Sequence, residues 1–217
     1  MEQGLVTYEL KDSVAIIQMD DGKVNALSHQ MVDALLSALD RAEAEASAVV
    51  LAGRPGKFCA GFDLKTMMSS PKAAVDLLTR GCDLYMRLYG CPLPVIMATS
   101  GHAVAGGALL VLCGDYRIGI EGPFKMGLNE VAIKMPIPIL AIELARDRLV
   151  PSALTEATLG ARLYDVADAV SVGYLDALVS PEELLSSAME KAQSWGAYDR
   201  RAFADSKMTL RGSTIEG

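Results

Sequence analysis

The chain has 217 residues, 51% of them hydrophobic and 22% charged, and a formal net charge of −7 at pH 7. It is too apolar to be disordered and long enough for one substantial core, and no basic run interleaves with aromatics as nucleic-acid binding would require. No apolar run reaches the ~18 residues of a membrane span, the start at Met1-Glu2-Gln3-Gly4 has no leader pattern, and Cys59, Cys82, Cys91 and Cys113 form no C-x-x-C pair, which fits reduced thiols in a soluble cytoplasmic protein better than zinc ligation or a disulfide framework.

In chain order, Leu5–Leu10 alternates and Val14–Ile17 is an apolar run, so the two predict paired strands joined through Lys11-Asp12-Ser13. After a turn at Asp20-Asp21-Gly22, Ser28 can cap a helix whose apolar stripe is Met31, Leu35, Leu39 and Ala42. A strand is predicted over 48–52, followed by the glycine loop Phe58-Cys59-Ala60-Gly61-Phe62-Asp63-Leu64 and a short helix. Ser70-Pro71 opens a helix over 71–89, a strand follows over 94–99, and a second loop, Val104-Ala105-Gly106-Gly107-Ala108-Leu109-Leu110, enters a helix over 106–113. After a strand over 115–120 the chain reads as mainly helical. Ser180-Pro181-Glu182-Glu183 predicts a helix over 181–196, and another is expected near 199–209.

The two glycine loops carry the functional signal. Each follows a β-branched strand run and leads into a helix, whose first N–H groups lack intrahelical partners. Two such turns can aim two N–H groups at one oxygen, which is what an oxyanion hole requires.

Both loops resemble those of the crotonase (enoyl-CoA hydratase/isomerase) superfamily. Gly22-Lys23-Val24-Asn25-Ala26-Leu27, Cys113-Gly114-Asp115-Tyr116-Arg117-Ile118, Gly127-Leu128-Asn129-Glu130 and Ala167–Asp176 extend the resemblance over nearly the whole chain in the same order. It implies an α/β fold, a crotonase-like spiral of repeated β-β-α units over 1–150, with a helical C-terminal oligomerisation region over 151–217. It also implies an acyl-CoA thioester as partner, coenzyme A entering as part of the substrate with no permanently bound cofactor and no metal, and a homotrimer or dimer of trimers. The chain stops short of the family's usual end, so the acyl site is expected to be more open than in longer relatives.

Carried over by motif position, the N–H groups of Ala60 and Gly106 are the expected oxyanion donors, and Gly61 and Gly107 are expected to let the thioester approach the backbone. Lys23, Val24 and Ala26 correspond to a segment that contacts coenzyme A, with Phe62, Asp63 and Leu64 beside it and Lys65 as a possible phosphate partner. Glu130, set among Met126, Leu128, Val131 and Ile133, is the expected general base, because burial would raise its pKa; the competing reading is a solvent-facing residue at a helix start. Leu109 stands where hydratases of the family carry a second glutamate, and leucine can neither activate water nor move a proton. One-base Δ3-to-Δ2 enoyl-CoA isomerisation survives that loss. Thioester hydrolysis, decarboxylation and non-catalytic acyl-CoA binding remain open on the same fold.

Among other residues, Cys59 reads as a packed thiol, His102 as a packed residue at a strand end, and Asp115 and Arg117 as structural ion-pair partners. Met67, Met68, Met126 and Met135 are either acyl-pocket or core residues.

Overall fold

The computed structural model describes residues 4–216; Met1–Gln3 and Gly217, with the leader reading made on the former, lie outside the described residues. The chain runs β1 (Val6–Lys11), β2 (Val14–Met19), α1 (His29–Glu45), β3 (Ala48–Ala52), β4 (Gly56–Cys59), α2 (Leu64–Met67), α3 (Pro71–Tyr89), β5 (Val95–Thr99), β6 (Gly101–Val104), α4 (Gly106–Cys113), β7 (Tyr116–Ile120) and β8 (Lys125–Gly127). It continues through α5 (Ile139–Arg148), α6 (Leu154–Thr158), β9 (Tyr164–Asp165), α7 (Val166–Val172), β10 (Ala177–Val179), α8 (Leu184–Gly196) and α9 (Arg200–Glu216).

These strands form two sheets, a six-stranded one in the order β1-β2-β3-β5-β7-β10 and a four-stranded one in the order β4-β6-β8-β9. The β1–β2 pair is antiparallel, and β2, β3, β5, β7 and β10 are parallel to one another. The first turn places both of its strands, β1 and β2, in the large sheet; the next three (β3/β4, β5/β6 and β7/β8) each place one strand in the large sheet and the next in the small sheet before a helix, which is the expected β-β-α spiral. The small-sheet strands β4 and β6 are additions to the sequence reading, which carried the chain from β3 and β5 straight into the glycine loops. Four-residue strands containing glycine and a lysine or histidine have too little pattern to be seen.

Strand β3 is buried at every position because both faces of the large sheet are covered. One face packs on α1, α3 and α4, and the other on α8 through Leu184, Ala188 and Ala192. Helix α4, Gly-Gly-Ala-Leu-Leu-Val-Leu-Cys, is buried all round, as an apolar helix without a polar face must be. Ser28 and Ser70 cap α1 and α3 by accepting from the N–H groups of Met31 and Ala73.

The region after Val150 is mainly helical but also supplies β9 and β10, which complete the two sheets. Helix α8 begins at Leu184 rather than 181; residues 181–183 form a turn across which Glu183 accepts from the Ser180 hydroxyl at 2.7 Å. Helix α9 extends well past the expected 209. Its Lys207 and Arg211 are buried against the chain's own core, donating to the carbonyls of Cys91, Leu93 and Tyr89 and pairing with Asp115. Arg117 pairs with Asp176, so both expected structural ion pairs form.

Candidate active site

The two glycine loops and the 129–138 segment enclose a cavity of ≈390 Å³. Ala60, Phe62, Leu64, Gly106, Leu109 and Glu130 all line it, and among the described residues Glu130 is the only titratable side chain that does. No described residue after Pro138 contributes to the lining.

In the second loop, Ala105 adopts φ 51°, ψ −125°, a conformation costly for a residue with a Cβ, and is the residue immediately before α4. Its N–H donates to Gly127 O at 2.9 Å and its carbonyl accepts from Ala108 and Leu109. The next amide, Gly106 N–H, stands at the first position of α4 and has no acceptor among the described residues. The strained residue therefore aims a free N–H at the cavity side of a helix N-terminus.

The first loop corrects one expectation. The Ala60 N–H donates to Val24 O at 3.1 Å and is not free. Leu27 N–H donates to Gly61 O and Asp63 N–H to Leu27 O, so the chain pairs on either side of Phe62 and leaves the Phe62 N–H without an acceptor among the described residues. The free donor of this loop is at Phe62, two residues beyond the expected one. Gly61, at φ +93°, lies between: a Cβ there would stand 3.2 Å from Gly106 N and from Val104 O, so glycine lets the two loops lie close together. Gly107 has a different reason. A Cβ on it would fall 2.0 Å from Cys59 O, so glycine is needed for α4 to pack on β4 and not for approach of a ligand.

Glu130 is 7% exposed and its Oε2 has no hydrogen-bond partner. Burial raises its pKa above the ordinary 4.5, which excludes the solvent-facing alternative. Asn129 beside it also lines the cavity and has a buried, unpartnered Oδ1. Leu109, on the first turn of α4, is 4% exposed, so no carboxylate reaches the cavity from that helix.

Lys23, Val24 and Ala26 do not line the cavity, but their loop is bound to its rim. Asp21 accepts from the N–H groups of Lys23, Asn25 and Ala26, and Asn25 Nδ2 donates to Met19, Lys57 and Phe58 carbonyls. Asp63 caps α2, accepting from Thr66 N at 2.9 Å and Thr66 Oγ1 at 2.6 Å, which occupies one carboxylate oxygen and holds its pKa below the usual range. Leu64 lines the cavity and Lys65 is exposed. Met67 and Met135 are lining residues, whereas Met68 points to solvent and Met126 is core.

Cys59 is fully buried and its thiol is pushed up to about 12 by burial, so it is no nucleophile. His102 packs edge-on against Phe124, and its Nδ1 accepts from Lys125 N, away from the cavity. Among the described residues no group of acidic, histidine or cysteine side chains could hold a metal, and no helix is long and apolar enough to cross a membrane.

Comparison with known proteins agrees with this geometry. A family model described as enoyl-CoA hydratase/isomerase matches residues 9–214. The chain is 29% identical to human mitochondrial enoyl-CoA delta isomerase 1 over 97% of its own length and 71% of that protein's, and 31% identical to a Thermus thermophilus protein named a putative enoyl-CoA hydratase, over 84% and 74%. Among solved structures, an enoyl-CoA hydratase/isomerase family protein from Pseudomonas syringae superposes with a TM-score of 0.96 at 42% identity, covering 98% of this chain and 92% of that one. A Mycobacterium tuberculosis enoyl-CoA isomerase gives 0.94 at 39% identity, covering 98% and 93%. With a matching fold, two glycine loops at one cavity and a family model spanning nearly all of it, the chain belongs to the enoyl-CoA hydratase/isomerase family.

Proposed function

We propose that the protein is a Δ3-to-Δ2 enoyl-CoA isomerase that works with one carboxylate base. The observation that carries this reading is that, among the described residues, Glu130 is the only titratable group lining the cavity, while Leu109 stands at the position where the resemblance puts the second glutamate of a hydratase. The Glu130 carboxylate takes a proton from C2 of the 3-enoyl thioester, and the electrons pass into a dienolate. The free N–H groups of Phe62 and Gly106 hold its oxygen, and Glu130 returns the proton to C4. Each donor of such a hole is worth roughly 3–4 kcal/mol in the transition state. Coenzyme A arrives as part of the substrate, with the Lys23–Ala26 loop at its entry.

We propose further that the protein works as a homotrimer or dimer of trimers, supported by exposed Leu159, Leu185 and Leu210 in the C-terminal helical region. A reducing compartment, the cytoplasm, suits its four free thiols.

The test is turnover of 3-enoyl-, 2-enoyl- and saturated acyl-CoA thioesters by the wild type and Glu130→Gln. Isomerisation lost in the variant supports the reading. Efficient hydration by the wild type, release of coenzyme A from a saturated thioester, or binding without turnover of any thioester each replaces it.

A further inference from the structure

Helix α3 passes beneath both glycine loops, and Gly81 and Tyr85, four residues apart, share the face that meets them. The Phe62 ring sits on that face: a Cβ on Gly81 would fall 2.3 Å from its Cε1 and Cζ atoms. The Tyr85 ring meets Phe62 edge-on, with centroids 6.0 Å apart at 73°. The Tyr85 hydroxyl donates to Gly106 O at 2.9 Å. Tyr85 is 1% exposed and does not line the cavity. One buried phenol therefore touches both residues whose N–H groups are free.

We infer that Tyr85, seated beside Gly81, is a positioning residue that sets the relative placement of the Phe62 and Gly106 N–H groups and so tunes the oxyanion hole without contacting substrate. The inference rests on the reading of those two N–H groups as the donors. A buried phenol is costly without an acceptor, and a phenylalanine would fill the same space at no such cost. Here the hydroxyl is spent on the carbonyl of Gly106, which fixes the peptide plane that follows the donor. The ring edge fixes the other donor residue. Donors on two separate loops need such a common support, because small displacements of a preorganised hole are expensive in rate.

The test is Tyr85→Phe, which keeps the ring and removes the hydroxyl. Isomerisation kcat should fall about tenfold, the worth of one hydrogen bond, with KM nearly unchanged. A second readout needs no turnover: calorimetric binding of octanoyl-CoA against its thioether analogue octyl-CoA, which lacks the carbonyl oxygen. The wild type should prefer the thioester, and Tyr85→Phe should narrow that preference while leaving thioether binding as it was. Phe62→Leu, which withdraws the ring edge but keeps the main-chain N–H, is the second variant and should lower kcat in the same direction. Unchanged kcat and unchanged thioester preference in either folded variant overturns the inference alone. A wild type with no thioester preference overturns the donor reading on which it rests.

Discussion

Lys207 Nζ lies 2.6 Å from the Asp115 carboxylate, with the two side chains 4% and 6% exposed. Arg211 approaches the other Asp115 oxygen at 3.0 Å, so α9 is fastened to the core by a desolvated charge cluster. Removing Asp115 leaves the buried Lys207 and Arg211 charges without their carboxylate. Asp115→Ala should therefore cost about 3–5 kcal/mol of stability. Urea unfolding of the variant checks this, and a loss well under 1 kcal/mol would show that the cluster contributes little.

Glu130→Gln should lower isomerisation by at least about a hundredfold, the scale of positioned proton transfer, while acyl-CoA affinity changes little. Because burial raises the Glu130 pKa, the acidic limb of the wild-type kcat/KM profile should lie above 4.5, with activity gained as pH rises and the carboxylate ionises. Stability runs the other way. A carboxyl whose folded pKa is raised contributes stability that is complete below its unfolded pKa and lost as pH rises through the folded one. Glu130→Gln should thus melt higher than the wild type at neutral pH, and the gap should close on acidification below 4.5. Thermal scans at several pH values read this directly, and a gap that widened in acid would contradict it.

Leu109→Glu should introduce hydration of 2-enoyl-CoA and weaken isomerisation at pH 7. A second carboxylate in the same cavity raises the Glu130 pKa further by like-charge repulsion. Burying it at a position now 4% exposed should cost more than about 2 kcal/mol. Product analysis and unfolding of the same preparation test both halves, and unchanged isomerisation would show that the two positions do not interact.

Ala105→Gly relieves the positive-φ strain ahead of α4, which is worth of order 1–3 kcal/mol less the added entropy of the unfolded chain. The melting temperature should rise and kcat should fall, because the strained residue aims the Gly106 N–H. A variant that is both less stable and equally active would refute this account of the loop.

For the assembly, sedimentation equilibrium should return three, or twice three, times the 23.0 kDa chain mass. A stable monomer at micromolar concentration would remove the proposed trimer.

Much of this was legible in the sequence, and what was not has common physical causes. Helices α3 and α4 match their predicted ranges because caps, proline and apolar pattern agree locally. Glu130 and both glycine loops stood out because each lies in a short contiguous motif that carries the family resemblance, although Val131, one of the residues expected to bury Glu130, is exposed and does not line the cavity. The Phe62 donor was missed because the group that occupies Ala60 N–H, Val24 O, comes from a distant loop. Tyr85 was missed for the same reason, its acceptor lying 21 residues away. Lys207 and Arg211 were not noticed because a charge on a helix ordinarily belongs to the solvent side, and only packing against Asp115 turns it inward.

The position of β10 at the end of the large sheet bears on how the chain comes to be folded during synthesis. The strand that closes the β7 edge is translated after three further helices, α5, α6 and α7, and Asp176 just before it bonds to Arg117 from 59 residues away. While a ribosome works through that stretch, β7 is an open edge flanked by hydrophobic neighbours, a template for pairing with another nascent chain. Non-local parallel pairing of this kind also forms slowly once the chain is free. Synthesis rate between Ile120 and Ala177 should therefore govern yield more strongly than the stability of the finished protein does.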